Sequence, residues 1–298
     1  MKPIFRQPSL QILSCTILLL LIATASFSQS KIDSIISIKP FVLGQVDEIY
    51  SIQLGENRVL NIYLPEDYHA NDTSHYPVVY LLDGSADEDF IHVVGLYQFY
   101  SFPWINRVPK SIIVGIANVD RRRDFTFPTK IKEDLKAYHT TGHSDKFISF
   151  LEKELQPFIE KRFRTNRSKT LIGESLGGLL ASQILLEKPE LFNNYIIVSP
   201  SLWWNNGSLL EESFDKPCKQ SSQKIAVYVG VEKEALAPTK IPRLIDVDAS
   251  TLAEKLTDCQ SKNLRVHFNY LPEENHATIM HQAMMNALKF LYPAAKEN

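Results

Sequence analysis

The sequence predicts an α/β protein: a mainly parallel central sheet with helices on both faces, entered through an N-terminal antiparallel hairpin. Three observations lead there. From residue 77 to residue 291, short and nearly continuous apolar runs alternate with segments of helical spacing, the pattern of strands buried on both faces. Upstream, residues 48–54 and 59–64 alternate around Gly55-Glu56-Asn57, a hairpin signal. Between these regions, Gly173-Glu174-Ser175-Leu176-Gly177 joins an apolar run to a helical one. That is the strand–turn–helix setting of a G-x-S-x-G nucleophile elbow.

The elements follow in order. Pro77-Val78-Val79-Tyr80-Leu81-Leu82 reads as a buried strand ending at Asp83-Gly84, and residues 111–117 as the next. Residues 147–163 carry helical spacing and lead to a short strand at Thr170-Leu171-Ile172. After the elbow, residues 179–186 continue as a helix that Pro189 stops. Residues 195–198 and 225–229 are further buried strands. Residues 252–256 lie in a helix, residues 265–270 in a strand and residues 277–291 in a last helix. In such a sheet, ligands gather at the carboxyl ends of the strands, and the motifs below all follow strand ends.

The first 28 residues read as an address. Lys2 and Arg6 supply a positive start, residues 12–25 an apolar core, and Ala25-Ser26-Phe27-Ser28 the small residues of a cleavage site. The apolar run is short for the about 20 residues of a membrane span, so no stable anchor is expected after cleavage. Export to a periplasm or the exterior is the expectation. Residues 29–298 then form a single domain, a length that supports one sizeable core.

A net charge of −2 leaves no basic footprint for nucleic acid. Of the three cysteines, Cys218 and Cys259 lie beyond the leader. They could pair in an oxidising compartment, and they lack metal-site spacing, so neither a metal nor a cofactor is expected.

A serine hydroxyl becomes a nucleophile when a histidine takes its proton and an acid holds that histidine. Ser175 is the candidate nucleophile. Three of the eight histidines follow it. His267 falls inside a strand and His281 inside the last helix. His276 occupies the polar loop Pro272-Glu273-Glu274-Asn275-His276 after the last strand, so His276 is the expected base. The acid should follow the strand at 225–229, where Glu232 is the first choice and Glu234 the alternative. Asp246 and Asp248, at a helix start, suit capping better. For the oxyanion hole, the N–H of Leu176 sits just after the nucleophile. The Ser85 N–H follows the turn at Asp83-Gly84.

Tyr80-Leu81-Leu82-Asp83-Gly84, Gly173-Glu174-Ser175-Leu176-Gly177-Gly178 and Glu274-Asn275-His276 together resemble the putative-esterase family. That family contains siderophore esterases, esterase D, feruloyl and acetyl-xylan esterases and mycolyltransferases. The resemblance runs from about residue 48 to residue 292. It implies an alpha/beta-hydrolase fold and a Ser-acid-His mechanism without metal, acting on a small-molecule ester. Asp120-Arg121-Arg122-Arg123-Asp124-Phe125-Thr126 and Ser199-Pro200-Ser201-Leu202-Trp203-Trp204 are similar to segments of the siderophore-esterase branch. They imply substrate contacts from Arg123, Trp203 and Trp204, against the plainer reading of an ion pair and a packed aromatic cluster. Siderophore and acylated-sugar esters are both open as substrates. Acyl transfer to an alcohol, and a non-catalytic ligand-binding homologue, are the alternative functions.

Overall fold

The computed structural model describes residues 37–69, 73–233, 237, 239 and 242–294. Residues 1–28, expected to form a cleaved leader, and Glu234 lie outside the described residues. The chain divides into two units, Met1–Val42 and Leu43–Asn298; all the strands and helices described below belong to the second.

β1 (Gln45–Ser51) and β2 (Glu56–Tyr63) form the expected antiparallel hairpin. Its turn is held by Glu154, whose carboxylate accepts from the Ile52 and Gln53 N–H groups and the Ser51 hydroxyl. β3 (Tyr76–Leu81), β4 (Ile112–Ile116), β5 (Thr165–Glu174), β6 (Asn194–Val198), β7 (Ile225–Glu232) and β8 (Leu264–Leu271) complete one sheet in the order β1-β2-β4-β3-β5-β6-β7-β8. Every pairing from β4 to β8 is parallel; β2 runs antiparallel to β4. β5 and β7 run longer than their apolar stretches suggest. β5 begins in the polar stretch Thr165-Asn166-Arg167-Ser168, and β7 carries on through Gly230-Val231-Glu232.

Helices cover both faces. α1 (Phe90–Ser101) follows β3, while α2 (Arg121–Phe125) and α3 (Lys132–Ala137) follow β4. α4 (Ser144–Phe150) passes through a wider π-helical turn, Leu151–Leu155, into α5 (Gln156–Arg162). α6 (Leu176–Glu187) follows the elbow, α7 (Ile245–Asp258) joins β7 to β8, and α8 (Ile279–Leu291) ends the fold. Alternate residues of each strand feed two cores. Val78, Tyr80 and Leu82 pack with α4 to α7, and Val79 and Leu81 with α1 and α8.

The strand order reverses between β3 and β5. Chain leaving β3 goes to β4 on one side, while β5 continues to β6 on the other. Crossovers diverging at such a switch point open a crevice at the carboxyl ends of the two strands. Asp83 stands at one lip and Ser175 at the other. The Cys218–Cys259 disulfide, with Cα atoms 5.5 Å apart, ties the turn Lys216–Gln220 to the end of α7.

Candidate active site

Ser175 has φ 57° and ψ −117°, a backbone region that a non-glycine residue adopts only under constraint. The constraint is visible. Its N–H donates to Val198 O, and its carbonyl accepts from Leu179 N and Ser201 N, all at 2.9–3.0 Å. Gly173 is required by the close approach this creates, since a Cβ there would stand 2.4 Å from Gly177 O. Leu176 opens α6, so its N–H is among those a helix start leaves without an intrahelical acceptor. The Ser175 hydroxyl lies 3.3 Å from that of Ser201.

Ser175 and His276 line one open cleft of about 340 Å³, together with Asp83, Glu88, Asp89, Arg121 and Glu174. His276 is presented by a loop folded on its own polar groups. Asn275 Oδ1 accepts from Ala277 N, Thr278 Oγ1 accepts from Asn275 N, and Glu274 N donates to Leu271 O. The imidazole is 39% exposed, and its Nδ1 lies 2.9 Å from Glu232 Oε1, a carboxylate with no exposed surface. Burial alone would raise the Glu232 pKa; hydrogen bonds from His276 and Ser199 outweigh it and hold the carboxyl below its ordinary value. β7 reaches Glu232 as its last residue, which brings this glutamate to the imidazole.

Ser199 is a partner that sequence reading left without a role. It follows β6 with φ 42° and is fully buried. Its hydroxyl donates to Glu232 Oε1 at 2.6 Å and lies 2.9 Å from His276 Nδ1.

Arg121, also unassigned from the sequence, forms the cationic wall. Its guanidinium makes a two-point contact with Asp83 at 2.6 and 3.0 Å and donates to Glu174 O at 3.0 Å. Asp83 holds φ 52° and is further tied by Asn118. Glu174 is pushed up to about 7, first by burial and then by the Asp89, Glu232 and Asp83 carboxylates, with His276 opposing. Ser85 N–H donates to Glu88 Oε2 at 3.3 Å, a long bond.

Three residues expected to touch substrate stand elsewhere. Arg123 pairs with Glu56 and Asp124, which hold its guanidinium firmly protonated. On α2, Arg121 and Arg123 point about 200° apart, so only one of them can reach the cleft. Trp203 and Trp204 are buried at 5% and 0% exposure. They pack edge-on against one another beside Tyr138, and Trp204 Nε1 donates to Phe127 O. For these three the plainer reading, ion pair and packed aromatic cluster, fits the geometry. The remaining downstream histidines are also engaged. His267 stacks on Phe290, and His281 bonds His92 across α1 and α8 at 2.7 Å.

Residues 51–279 match the family model described as Putative esterase. The chain belongs to that family. It is 30% identical over 259 residues to the ferri-bacillibactin esterase BesA of Bacillus subtilis, spanning 80% of this chain and 87% of that one. Among solved structures it is similar to an IroE-like serine hydrolase from Shewanella oneidensis, with TM-score 0.73 and 32% identity over 84% of this chain and 80% of that one. It is also similar to the BES protein of Bacillus cereus, with TM-score 0.75 and 29% identity over 88% and 100%. Membership makes the chain a carboxylic ester hydrolase of the alpha/beta-hydrolase type. Among the described residues no helix is long and apolar enough to cross a membrane, and no group of three or more His, Cys, Asp or Glu side chains could hold a metal ion.

Proposed function

We propose that the chain is an exported serine esterase that opens the ester bonds of a siderophore. The observation that carries the reading is the buried Glu232 carboxylate 2.9 Å from His276 Nδ1, in a cleft that His276 shares with the elbow serine. With Nδ1–H directed at Glu232, the other ring nitrogen, Nε2, is the basic one. It takes the Ser175 proton as Oγ attacks the ester carbonyl. The negative charge on the carbonyl oxygen is met by the N–H groups of Leu176 and Ser85, the latter released from Glu88. The imidazolium returns its proton to the departing alkoxide, leaving an acyl-enzyme and a free alcohol. Water, deprotonated by the same nitrogen, then releases the acid and restores Ser175.

The substrate class rests on the relatives, since BesA is named for ferri-bacillibactin and an Aspergillus fumigatus relative, 39% identical over 169 residues, for triacetylfusarinine C. Export is supported by the charged and apolar pattern of the first 28 residues and by the disulfide, which suits an oxidising compartment. A cavity of about 360 Å³ near Phe127, Leu186 and Leu209 has serines in its wall but no histidine, so the chemistry is assigned to the cleft.

The test is hydrolysis of p-nitrophenyl acetate by the mature protein beside Ser175→Ala, followed by ferri-bacillibactin and triacetylfusarinine C. Turnover that disappears with the hydroxyl while circular dichroism stays native supports the nucleophile. Equal rates in both proteins overturn it. Cleavage of p-nitrophenyl acetate with neither siderophore opened would redirect the search to other esters.

A further inference from the structure

We propose that Ser199 is a positioning residue of the catalytic array, its hydroxyl forming with Glu232 a two-point fork that fixes the orientation of the His276 ring. The inference rests on the serine-esterase reading and adds to it a residue outside the Ser-His-acid set.

Hydrogen accounting gives the fork. The single Ser199 proton goes to Glu232 Oε1 at 2.6 Å, because an ionised carboxylate only accepts. The serine lone pairs are then free to receive His276 Nδ1–H at 2.9 Å, and Glu232 Oε1 receives the same hydrogen at 2.9 Å. One acceptor fixes a distance and leaves the ring free to swing about the N–H···O axis. Two acceptors at equal distance restrict that swing. The restriction matters because His276 is 39% exposed and is presented by the loop between β8 and α8. Nε2 is where orientation counts, since a misplacement of about 1 Å in a proton-transferring group lowers a rate by roughly a hundredfold.

The carboxylate needs the serine as well. Glu232 is fully buried, and its Oε2 has no protein hydrogen-bond partner among the described residues. The side-chain hydrogen bonds to this carboxylate therefore converge on Oε1, from Ser199 and His276. Ser199 is itself held rigidly, its N–H donating to Gly230 O at 2.7 Å on the neighbouring strand.

A plain turn residue is the competing account, and the backbone separates the two. At φ 42° a turn with no further duty is best served by glycine. A serine there bears strain that glycine would relieve, and what it brings in exchange is the hydroxyl. Ser199→Gly thus keeps, and even eases, the backbone while deleting the fork.

The experiment compares wild type, Ser199→Gly and Ser199→Ala on p-nitrophenyl acetate, and follows the His276 Nδ1–H proton by NMR, assigned by its loss in His276→Gln. Expected are a fall in kcat of about tenfold to a hundredfold in both serine variants, a KM within about twofold of wild type, and a broadened or missing Nδ1–H resonance. Wild-type kcat together with an intact resonance in Ser199→Gly would overturn the proposal and leave Ser199 as a turn residue. Should Ser199→Ala fold poorly, the glycine variant decides alone. If wild-type turnover proves independent of Ser175, the esterase reading fails, and the resonance in Ser199→Gly still decides whether the fork exists.

Discussion

Glu232 and Glu174 sit within one cleft region yet respond to burial in different ways. Glu232 gains hydrogen bonds from His276 and Ser199, which hold it ionised. Glu174 faces other carboxylates and is raised to about 7. Glu232→Gln should therefore lower kcat by about 10²–10⁴, as loss of the acid disorients and destabilises the imidazolium, with native circular dichroism as the control. For Glu174 the effect is on stability. A carboxyl whose pKa rises on folding binds more protons in the native state, so its contribution is fully present below its ordinary value of 4.5 and is lost as pH rises through about 7. Glu174→Gln should raise stability at pH 8 by about 1 kcal/mol, the open side of the cleft screening the remainder. It should leave stability at pH 4.5 nearly unchanged. Urea titrations at the two pH values check this. The residue scale was also the least legible in the sequence. G-x-S-x-G announces Ser175 because its constraint is local. Ser199 and Arg121 gain their partners only when β6 meets β7 and α2 meets β3, so the family resemblance of their segments points to the right stretches but to other side chains, Arg123, Trp203 and Trp204.

Among the elements, the hairpin and α2 are joined by a buried ion cluster. Arg58 on β2 has no exposed surface, and its guanidinium bonds Asp124 at 2.7 Å and Glu56 at 2.9 Å while lying over Phe147 and Phe150. Arg123 closes the cluster from α2. Removing one partner of a buried pair strands the other charge, so Asp124→Ala should destabilise the fold by about 3–5 kcal/mol. The double variant Arg58→Met, Asp124→Ala should recover part of that loss, read as the shift in urea midpoint. This cluster explains why Arg123 is absent from the cleft. Strands were legible because nearly continuous apolar runs leave little choice in a sheet covered on both sides. α1 was not, since Phe90, Val93, Val94, Tyr97 and Tyr100 are buried amid further apolar residues, and the resulting run shows neither a clear helical nor a clear strand period. The helix expected at 147–163 is real but is widened by its π-helical turn, which hydrophobic spacing alone does not reveal.

For the whole molecule, the Cys218–Cys259 bond closes a loop over a sequence separation of 41 residues, which on the chain-entropy account contributes about 4 kcal/mol. The Cys218→Ser, Cys259→Ser variant should lose about 2–4 kcal/mol, with wild type in reductant approaching the same urea midpoint. Acid should act on a different set of groups. Glu56, Asp120 and Glu232 all have pKa values lowered by folding. Their stabilisation is present above their ordinary values and lost as pH falls through the folded ones. Together with Glu174 and Asp134 working in the opposite direction, this places maximum stability at a mildly acidic pH, and a pH series of thermal melts should show that peak. Fold class was the most legible property of the chain, because alternation of buried runs and helices constrains topology. The disulfide was not, since chain spacing carries no information about distance in space.

The residues around the cleft come from six of the eight strands: Asp83 after β3, Arg121 after β4, Ser175 after β5, Ser199 after β6, Glu232 on β7 and His276 after β8. The shortest fragment that contains them all runs from residue 83 to residue 276. Reactivity of Ser175 toward a fluorophosphonate is therefore a clock for the completed sheet. During refolding from urea, label incorporation should lag behind the return of helical signal, and its delay would time the docking of the last strand.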